Sequence, residues 1–344
     1  MSSNPLNQNN GPVAVIGGSG FIGTRLAGRL LDAGRTIRII DIAPSRFYPQ
    51  HWIEGDVRDR STFTASLKGC SAIVNLAAQH KDNVRPRSLY DEVNVEGARQ
   101  ICLAAEETGI ETVVFTSSVA VYGQAPANCD ENCTAKPIND YGRTKLEAEG
   151  VYRSWLGKAP TVRSLVIVRP TVVFGERNRG NIYNLLRMIA SRRFVMVGHG
   201  NNIKSMAYVE NVAAALEACL EAKPGLRLFN YVDKPDFTMR ELVRFVRAEL
   251  KQDTHRFLTF PFWPTYLGAK LFDFAALLTG RDLAISSLRI KKFCTTTQFA
   301  ADRISQLPFT SPISLPEALR RTLKFEFGRT KSDSRDDQIV FESE

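Results

Sequence analysis

The chain has 344 residues, 44% of them apolar, which is ample for a sizeable core and sets a prior of about two domains. Its formal net charge is +9, yet no stacked-aromatic pattern or reading helix accompanies that charge, which argues against nucleic acid as a partner. The six cysteines (70, 102, 129, 133, 219 and 294) form no Cys-x-x-Cys pair and have no histidine at ligand spacing. Reduced thiols and no metal site are therefore expected.

In chain order, residues 1–10 hold no basic or apolar run and read as a disordered tail without a secretory signal. A short apolar run over 13–16, suited to a buried parallel strand, leads into Gly17-Gly-Ser19-Gly20-Phe21-Ile22-Gly23 and an apolar-periodic helix that stops at Gly34. In such a loop Gly17 permits the tight turn, Gly20 lets the backbone approach a pyrophosphate, and Gly23 lets the helix pack closely on its strand. The helix N-terminus adds free N–H groups and partial positive charge. The next strand, 36–40, ends in Asp41, where an acid grips the adenosine ribose and disfavours a 2′-phosphate. NAD is thus expected rather than NADP, with Arg46 the nearby residue that could accommodate the extra phosphate. Further strands at 72–76, 112–116 and 164–168 alternate with helical stretches. The pattern predicts an α/β fold, a Rossmann-type doubly wound parallel sheet, over 11–175.

Tyr141-Gly-Arg-Thr-Lys145 opens the helix before the last of these strands, with Ser118 lying 23 residues before Tyr141. A tyrosine and a lysine four apart project from one face of a helix. A phenol with a pKa of about 10 is a poor base at neutral pH, and a neighbouring ammonium stabilises the phenolate by about 1.4 kcal/mol for each unit of lowering. A serine hydroxyl can then hydrogen-bond the substrate oxygen whose proton moves.

Together these motifs resemble the extended short-chain dehydrogenase/reductase family, from residue 12 to about 325. The resemblance implies bound NAD held by Gly17, Ser19, Gly20, Phe21, Ile22, Gly23 and Asp41. It adds Asp56 and Val57 on the adenine side, Leu76, Ala77 and Ala78 after the fourth strand, and Tyr141 and Lys145. The catalytic set is Ser118, Tyr141 and Lys145. A smaller, partly helical substrate lobe is implied for 176–204 and 233–328, with the chain returning to the nucleotide domain at about 205–232. Residues 329–344, rich in Ser, Asp and Lys, read as a disordered tail. A homodimer through the helix of Tyr141 and the helix near 90–108 is also implied. The four histidines are scattered and receive no catalytic role.

Reaction and substrate follow from departures within that resemblance. Dehydratases of the family carry Asp-Glu after the active-site hydroxyl residue, because eliminating water needs an acid and a base. Decarboxylating members place a glutamate at the second position. Here the two positions are Val119 and Ala120, which leaves 4-epimerisation of a sugar or simple ketone reduction. Residues 176–204 hold Arg177, Arg179, Arg187, Arg192, Arg193 and Lys204 against the single acid Glu176. This is either a solvated face or a grip on a diphosphate, with Arg177, Arg179, Asn184 and Lys204 as the candidate substrate residues. Val172 stands where many binders of UDP-sugars carry Asn, which weakens the case for a uridine grip. The aromatic, apolar segment 257–280, followed by Arg281, Arg289, Lys291 and Lys292, either docks on anionic lipid or covers the lobe's core. The substrate expected is a diphospho-sugar, lipid-linked at the cytoplasmic face of a bacterial inner membrane or nucleotide-linked in solution. A non-catalytic NAD-sensing protein is the remaining alternative.

Overall fold

The first apolar run folds as β1 (Val13–Ile16), whose four side chains are all buried. A computed structural model describes residues 11–81, 84–254, 258–279, 294–328 and 339–341. After β1 come α1 (Phe21–Asp32), β2 (Ile37–Asp41), β3 (Trp52–Glu54), α2 (Arg60–Leu67), β4 (Ala72–Asn75) and the short α3 (Ser88–Tyr90). A π-helical turn over Asp91–Glu96 leads into α4 (Gly97–Thr108), followed by β5 (Thr112–Thr116), α5 (Asp140–Gly157) and β6 (Ser164–Pro170). The chain continues through β7 (Val172–Phe174), α6 (Asn181–Ala190), β8 (Met196–Val197), β9 (Ile203–Tyr208), α7 (Val209–Cys219) and β10 (Gly225–Tyr231). It closes with β11 (Asp233–Thr238), α8 (Met239–Glu249), β12 (Thr259–Phe260), α9 (Phe262–Thr279) and α10 (Leu315–Phe327).

Seven strands form one sheet in the order β10-β6-β5-β4-β1-β2-β3, every neighbouring pair parallel. Both faces of such a sheet are covered, so its strands read as unbroken apolar runs rather than alternations. One face packs Ile16, Ile73, Val113 and Ile167 against Phe63, Ile101, Ala148 and Tyr152 of α2, α4 and α5. The other packs Val15, Val74, Val114 and Val166 against Leu26 and Leu30 of α1 and Val212 and Leu216 of α7. The strand order reverses between β1 and β4, the place where open α/β sheets bind ligands beyond their carboxyl ends.

The smaller C-terminal region, expected as the substrate lobe, has its own core, in which α6, α8 and α10 pack Leu186, Val243 and Leu319 against Met206 and Tyr208 of β9. A small sheet of order β11-β9-β7 and the pair β12-β8 belong to this lobe. The chain leaves it through α7, which packs on the main sheet beside α1, and β10, which extends that sheet past β6. Pairing to β10 carries β6 on to Pro170, two residues beyond the expected 164–168. The expected strand at 36–40 is shifted by one residue, so that Asp41 is its last member.

Cys129 and Cys133, expected as reduced thiols, lie side by side, their Cα atoms 5.9 Å apart across a turn in which Cys133 N donates to Asp130 O. One expectation is corrected. Part of the tail expected to be disordered is placed. Phe341 N donates to Arg177 O and Phe341 O accepts from Arg179 N, both at 2.8 Å. The Phe341 ring lies 5.7 Å from that of Phe21 and 6.2 Å from that of Phe47. The polar composition of 329–344 concealed the apolar run Ile339-Val340-Phe341, which has aromatic surface to bury. Residues 1–10, 329–338, 342–344 and the cations Arg281, Arg289, Lys291 and Lys292 lie outside the described residues.

Candidate active site

The cofactor half of the site is built from strand ends. Gly17 turns with φ of +72°, and a Cβ there would stand 2.7 Å from the Ala77 backbone nitrogen. At Gly23 a Cβ would stand 2.5 Å from the Gly18 Cα, so α1 can rest on the loop only with glycine here. Gly20 differs: a Cβ would meet only the Gly17 carbonyl oxygen, at 3.3 Å. Its surroundings are otherwise open, and α1 begins there with no side-chain cap. That open, uncapped helix N-terminus is the cradle a pyrophosphate needs, so the residues fit a dinucleotide. Asp41 closes the loop, its Oδ2 accepting from Ser19 N at 3.0 Å and its Oδ1 from Ala43 N at 3.1 Å. Burial raises its pKa above the usual carboxylate value, against these bonds. Arg46 is exposed beyond it.

Asp56 is held by its neighbour Arg58, whose guanidinium Nη2 donates to Oδ2 at 2.6 Å and lowers the carboxyl pKa. Val57 is buried beneath α4, close enough that a Cβ at Gly97 would strike its side chain at 2.7 Å. Leu76, Ala77 and Ala78 are half-buried where β4 ends. Asn75 Oδ1 fixes that turn by accepting from Ala77 N at 3.0 Å. Asn94 continues the job: its Oδ1 accepts from Gln79 N at 2.8 Å, and its Nδ2 donates to Gln79 O and to Thr144 Oγ1 of α5. The π-helical turn that carries Asn94, a local form often found at functional sites, is not encoded by any simple spacing.

The candidate reacting groups Ser118, Tyr141 and Lys145 stand on the turn after β5 and on the first turns of α5. Ser118 caps a 3₁₀ turn over Val119–Tyr122, its Oγ accepting from Ala120 N at 3.1 Å. With that lone pair used, its own proton is free to be donated elsewhere. Asn139 caps α5, its side chain accepting from Gly142 N at 2.9 Å. Gly142 packs onto the 3₁₀ turn so closely that a Cβ would stand 2.5 Å from Ala120 O. This contact explains the glycine after Tyr141 and packs the start of α5 on the turn that Ser118 caps. One turn on, Lys145 is 2% exposed, with Nζ donating to Thr116 O at 2.8 Å and lying 4.7 Å from the Phe115 ring centroid. Burial pushes its pKa down to about 7, and the Glu149 charge pulls the other way. His80, given no catalytic role from sequence, follows the β4 turn. Burial lowers its pKa, its bond to the Ala78 backbone opposes that, and the Lys145 charge lowers it further.

The candidate substrate residues are scattered over the lobe. Arg179 Nη1 bonds Glu326 Oε2 of α10 at 2.7 Å, and its guanidinium lies 4.2 Å from the Tyr183 ring centroid. The Arg177 guanidinium lies 5.4 Å from the ring of Phe47 and 5.2 Å from that of Phe325. Asn184 is exposed on α6. Lys204, on β9, donates to Thr295 O at 2.6 Å, and burial pushes its pKa down to about 8. Among the described residues no group of three His, Cys, Asp or Glu side chains is placed to hold a metal.

A dinucleotide cradle at the switch point of a parallel sheet, with Ser, Tyr and Lys over the adjoining strand end, defines an oxidoreductase-type site. Its hydride would come and go on a nicotinamide. Comparison narrows the class: residues 13–230 match the model of the NAD dependent epimerase/dehydratase family, and the chain belongs to that family. NAD is its cofactor. The chain is 47% identical over 336 residues to the N-acetyl-alpha-D-glucosaminyl-diphospho-ditrans,octacis-undecaprenol 4-epimerase of Escherichia coli O157:H7, covering 97% of this chain and all of that one. It is 28% identical to the UDP-glucose 4-epimerase of Vibrio cholerae, over 78% of this chain and 85% of that one. Among solved structures it resembles in fold the NAD complex of a UDP-glucose 4-epimerase from Thermus thermophilus (TM-score 0.68, 21% identity, 91% and 98% of the two chains). It likewise resembles a UDP-N-acetylglucosamine 4-epimerase from Bacillus cereus (TM-score 0.72, 16% identity, 93% and 98%).

Proposed function

We propose that the chain is an NAD-dependent 4-epimerase that interconverts GlcNAc-diphospho-undecaprenol and GalNAc-diphospho-undecaprenol through a 4-keto intermediate, in surface-polysaccharide (O-antigen) synthesis. The observation that carries the substrate is the match along 97% of this chain to the whole of the E. coli enzyme. The reaction type is supported by the intact Ser118, Tyr141 and Lys145 set beside Val119 and Ala120, which supply no acid or base for elimination. NAD, held there, would supply a reversible hydride acceptor for the sugar C4, so none would be consumed. Tyr141, as phenolate, takes the proton of the 4-hydroxyl and later gives it back. Ser118 donates a hydrogen bond to that oxygen and orients it. Lys145 as ammonium favours the phenolate. Gly20 and the first turn of α1 would hold the pyrophosphate, and Asp41 the adenosine ribose.

Arg177, Arg179, Asn184 and Lys204 are proposed to receive the diphosphate and sugar. Lys204 has the best support, because it is a half-buried cation on β9 whose pKa burial pushes down to about 8. The lobe is also proposed to dock on the cytoplasmic surface of the membrane through α9. There Trp263 is 70% and Leu267 60% exposed, beside Phe262, Tyr266 and Lys270. No helix among the described residues is long and apolar enough to cross a membrane. A homodimer through α4 and α5 is proposed from the family resemblance. The test incubates purified protein with GlcNAc-diphospho-undecaprenol and, separately, UDP-GlcNAc, without added reductant. GalNAc formed on the lipid-linked sugar is expected. GalNAc formed from the UDP-sugar alone would refute the substrate, and a stoichiometric requirement for reduced cofactor would indicate a reductase.

A further inference from the structure

The face of α5 that carries Tyr141 and Lys145 carries a third polar residue at the same interval, Glu149, 1% exposed. Arg169, at the end of β6 and 4% exposed, grips it in two places, Nε to Oε1 at 2.8 Å and Nη2 to Oε2 at 2.6 Å. Ser117 Oγ donates to the same Oε1 at 2.7 Å. The third nitrogen of Arg169, Nη1, donates to the Tyr122 hydroxyl at 2.8 Å, which in turn donates to Asn230 Oδ1 at 2.8 Å. Taking an ion pair out of water is costly, and apolar side chains of similar volume often serve stability equally well. The pair's position argues for another purpose. It holds the residue before Ser118 through Ser117, the end of the Ser118 turn through Tyr122, and the helix of Lys145 through its own backbone.

We propose that the Glu149–Arg169 pair positions the catalytic set: Glu149 keeps the buried Lys145 charged, and Ser117 and Tyr122 transmit the grip to Ser118. The proposal rests on Lys145 acting on Tyr141 as described above. The groups around Lys145 are Glu149 on its own helix, His80 after β4, and Phe115 with the Thr116 carbonyl on β5. Glu149 is the anion among them. Arg169 and Arg153 face Glu149 itself, Arg153 Nη2 at 3.9 Å. Without the Glu149 charge, burial shifts Lys145 further toward the neutral amine, and the phenolate of Tyr141 loses support.

The test follows Tyr141 phenolate by ultraviolet difference absorbance against pH, with Tyr141→Phe as the blank, in wild type, Glu149→Gln and the double variant Glu149→Leu/Arg169→Met. A neutral-range midpoint is expected in wild type, moving up by about one unit or more in both variants. Turnover at pH 7 should fall at least about tenfold in parallel, with NAD content and KM little changed. The double variant removes both charges together, so it decides the matter if the single one does not fold. Ser117→Ala should lower kcat without moving the midpoint; an unchanged kcat would remove Ser118 positioning from the proposal. Neutral-range midpoints unmoved in the folded variants would overturn the proposal alone. A wild-type midpoint near the ordinary phenol value of about 10 would overturn the role of Lys145 itself, and the proposal with it.

Discussion

In the nucleotide-binding half, functional groups stand on the ends of parallel strands and are fixed by contacts that tolerate no added atom. Gly17, Gly23 and Gly142 each lie where a Cβ would come within 2.7 Å of backbone. Lys145 and Asn94 are tied by buried bonds to Thr116 and Thr144. The substrate lobe holds its candidates differently. Arg179 reaches Glu326 across an ion pair, Arg177 rests on aromatic rings, and α9 turns Trp263 and Leu267 to solvent. Proton and hydride transfer need atoms placed to a fraction of an ångström. A sugar on a long lipid needs a grip that can follow it. Substitutions in the first half should therefore abolish steps outright, and those in the second should shift affinities.

The largest effect is expected at Tyr141. Tyr141→Phe should lower turnover by about 10²- to 10⁴-fold, the usual worth of a positioned acid–base group, while NAD still co-purifies. Retained turnover would remove Tyr141 as the base. Next come two glycines a few residues apart that should behave differently. Gly20→Val projects into the open cradle, so the fold should survive and NAD content should fall. Gly23→Ala pushes against backbone and should cost about 1–3 kcal/mol of stability, read by thermal denaturation with NAD present and absent. If both variants lose only NAD, the distinction between cradle and packing fails.

How legible each half was follows the same division. The glycine loop, Asp41 and the Ser118, Tyr141, Lys145 set were readable because local backbone geometry and helix spacing impose residue types at short range. The edge strands β3 and β10 escaped, as β3 is three residues with two of them exposed and β10 joins the sheet only after the chain has left it for the lobe. Glu149 was one helical turn past Lys145 and could have been noticed. Its partner Arg169 is 20 residues away and is brought near by the strand, not by any pattern. Asn94 depends on a π-helical turn, and Phe341 on a short apolar run within polar surroundings. Arg177 and Arg179 looked alike as cations in one loop, yet the Arg177 guanidinium lies near the Phe325 ring and that of Arg179 pairs with Glu326, both partners supplied by α10 from the far end of the chain.

A smaller effect is expected at Lys204. Burial brings its pKa to about 8, so it is cationic below that pH and neutral above it. If it grips the diphosphate, KM should be level up to about pH 8 and rise beyond, whereas Lys204→Arg should keep KM level through pH 9. Lys204→Met should raise KM by about tenfold at pH 7 with kcat little altered, in keeping with one charge-assisted contact. A KM equally level in wild type and Lys204→Met would take Lys204 out of the substrate site.

The smallest effect, and the sharpest probe of the lobe as a membrane surface, is at α9. Trp263 and Leu267 are four residues apart and so lie on one face of the helix, flanked on one side by the stacked rings of Phe262 and Tyr266, 5.6 Å apart. Fully burying such a side chain is worth about 1.5–3 kcal/mol, and shallow insertion recovers only part of that. Trp263→Ser with Leu267→Ser should therefore reduce partition onto vesicles of mixed anionic and neutral lipid by about fivefold to tenfold. Turnover of a detergent-dispersed substrate should be unchanged. Raising salt should weaken binding in wild type and variant alike, because neighbouring cations contribute separately from the rings. The other possibility is that α9 merely covers the core. That predicts the opposite pair of results: unchanged partition, and a lower melting temperature caused by the loss of packed aromatic surface. Sedimentation with vesicles and a melting curve on the same variant decide between the two.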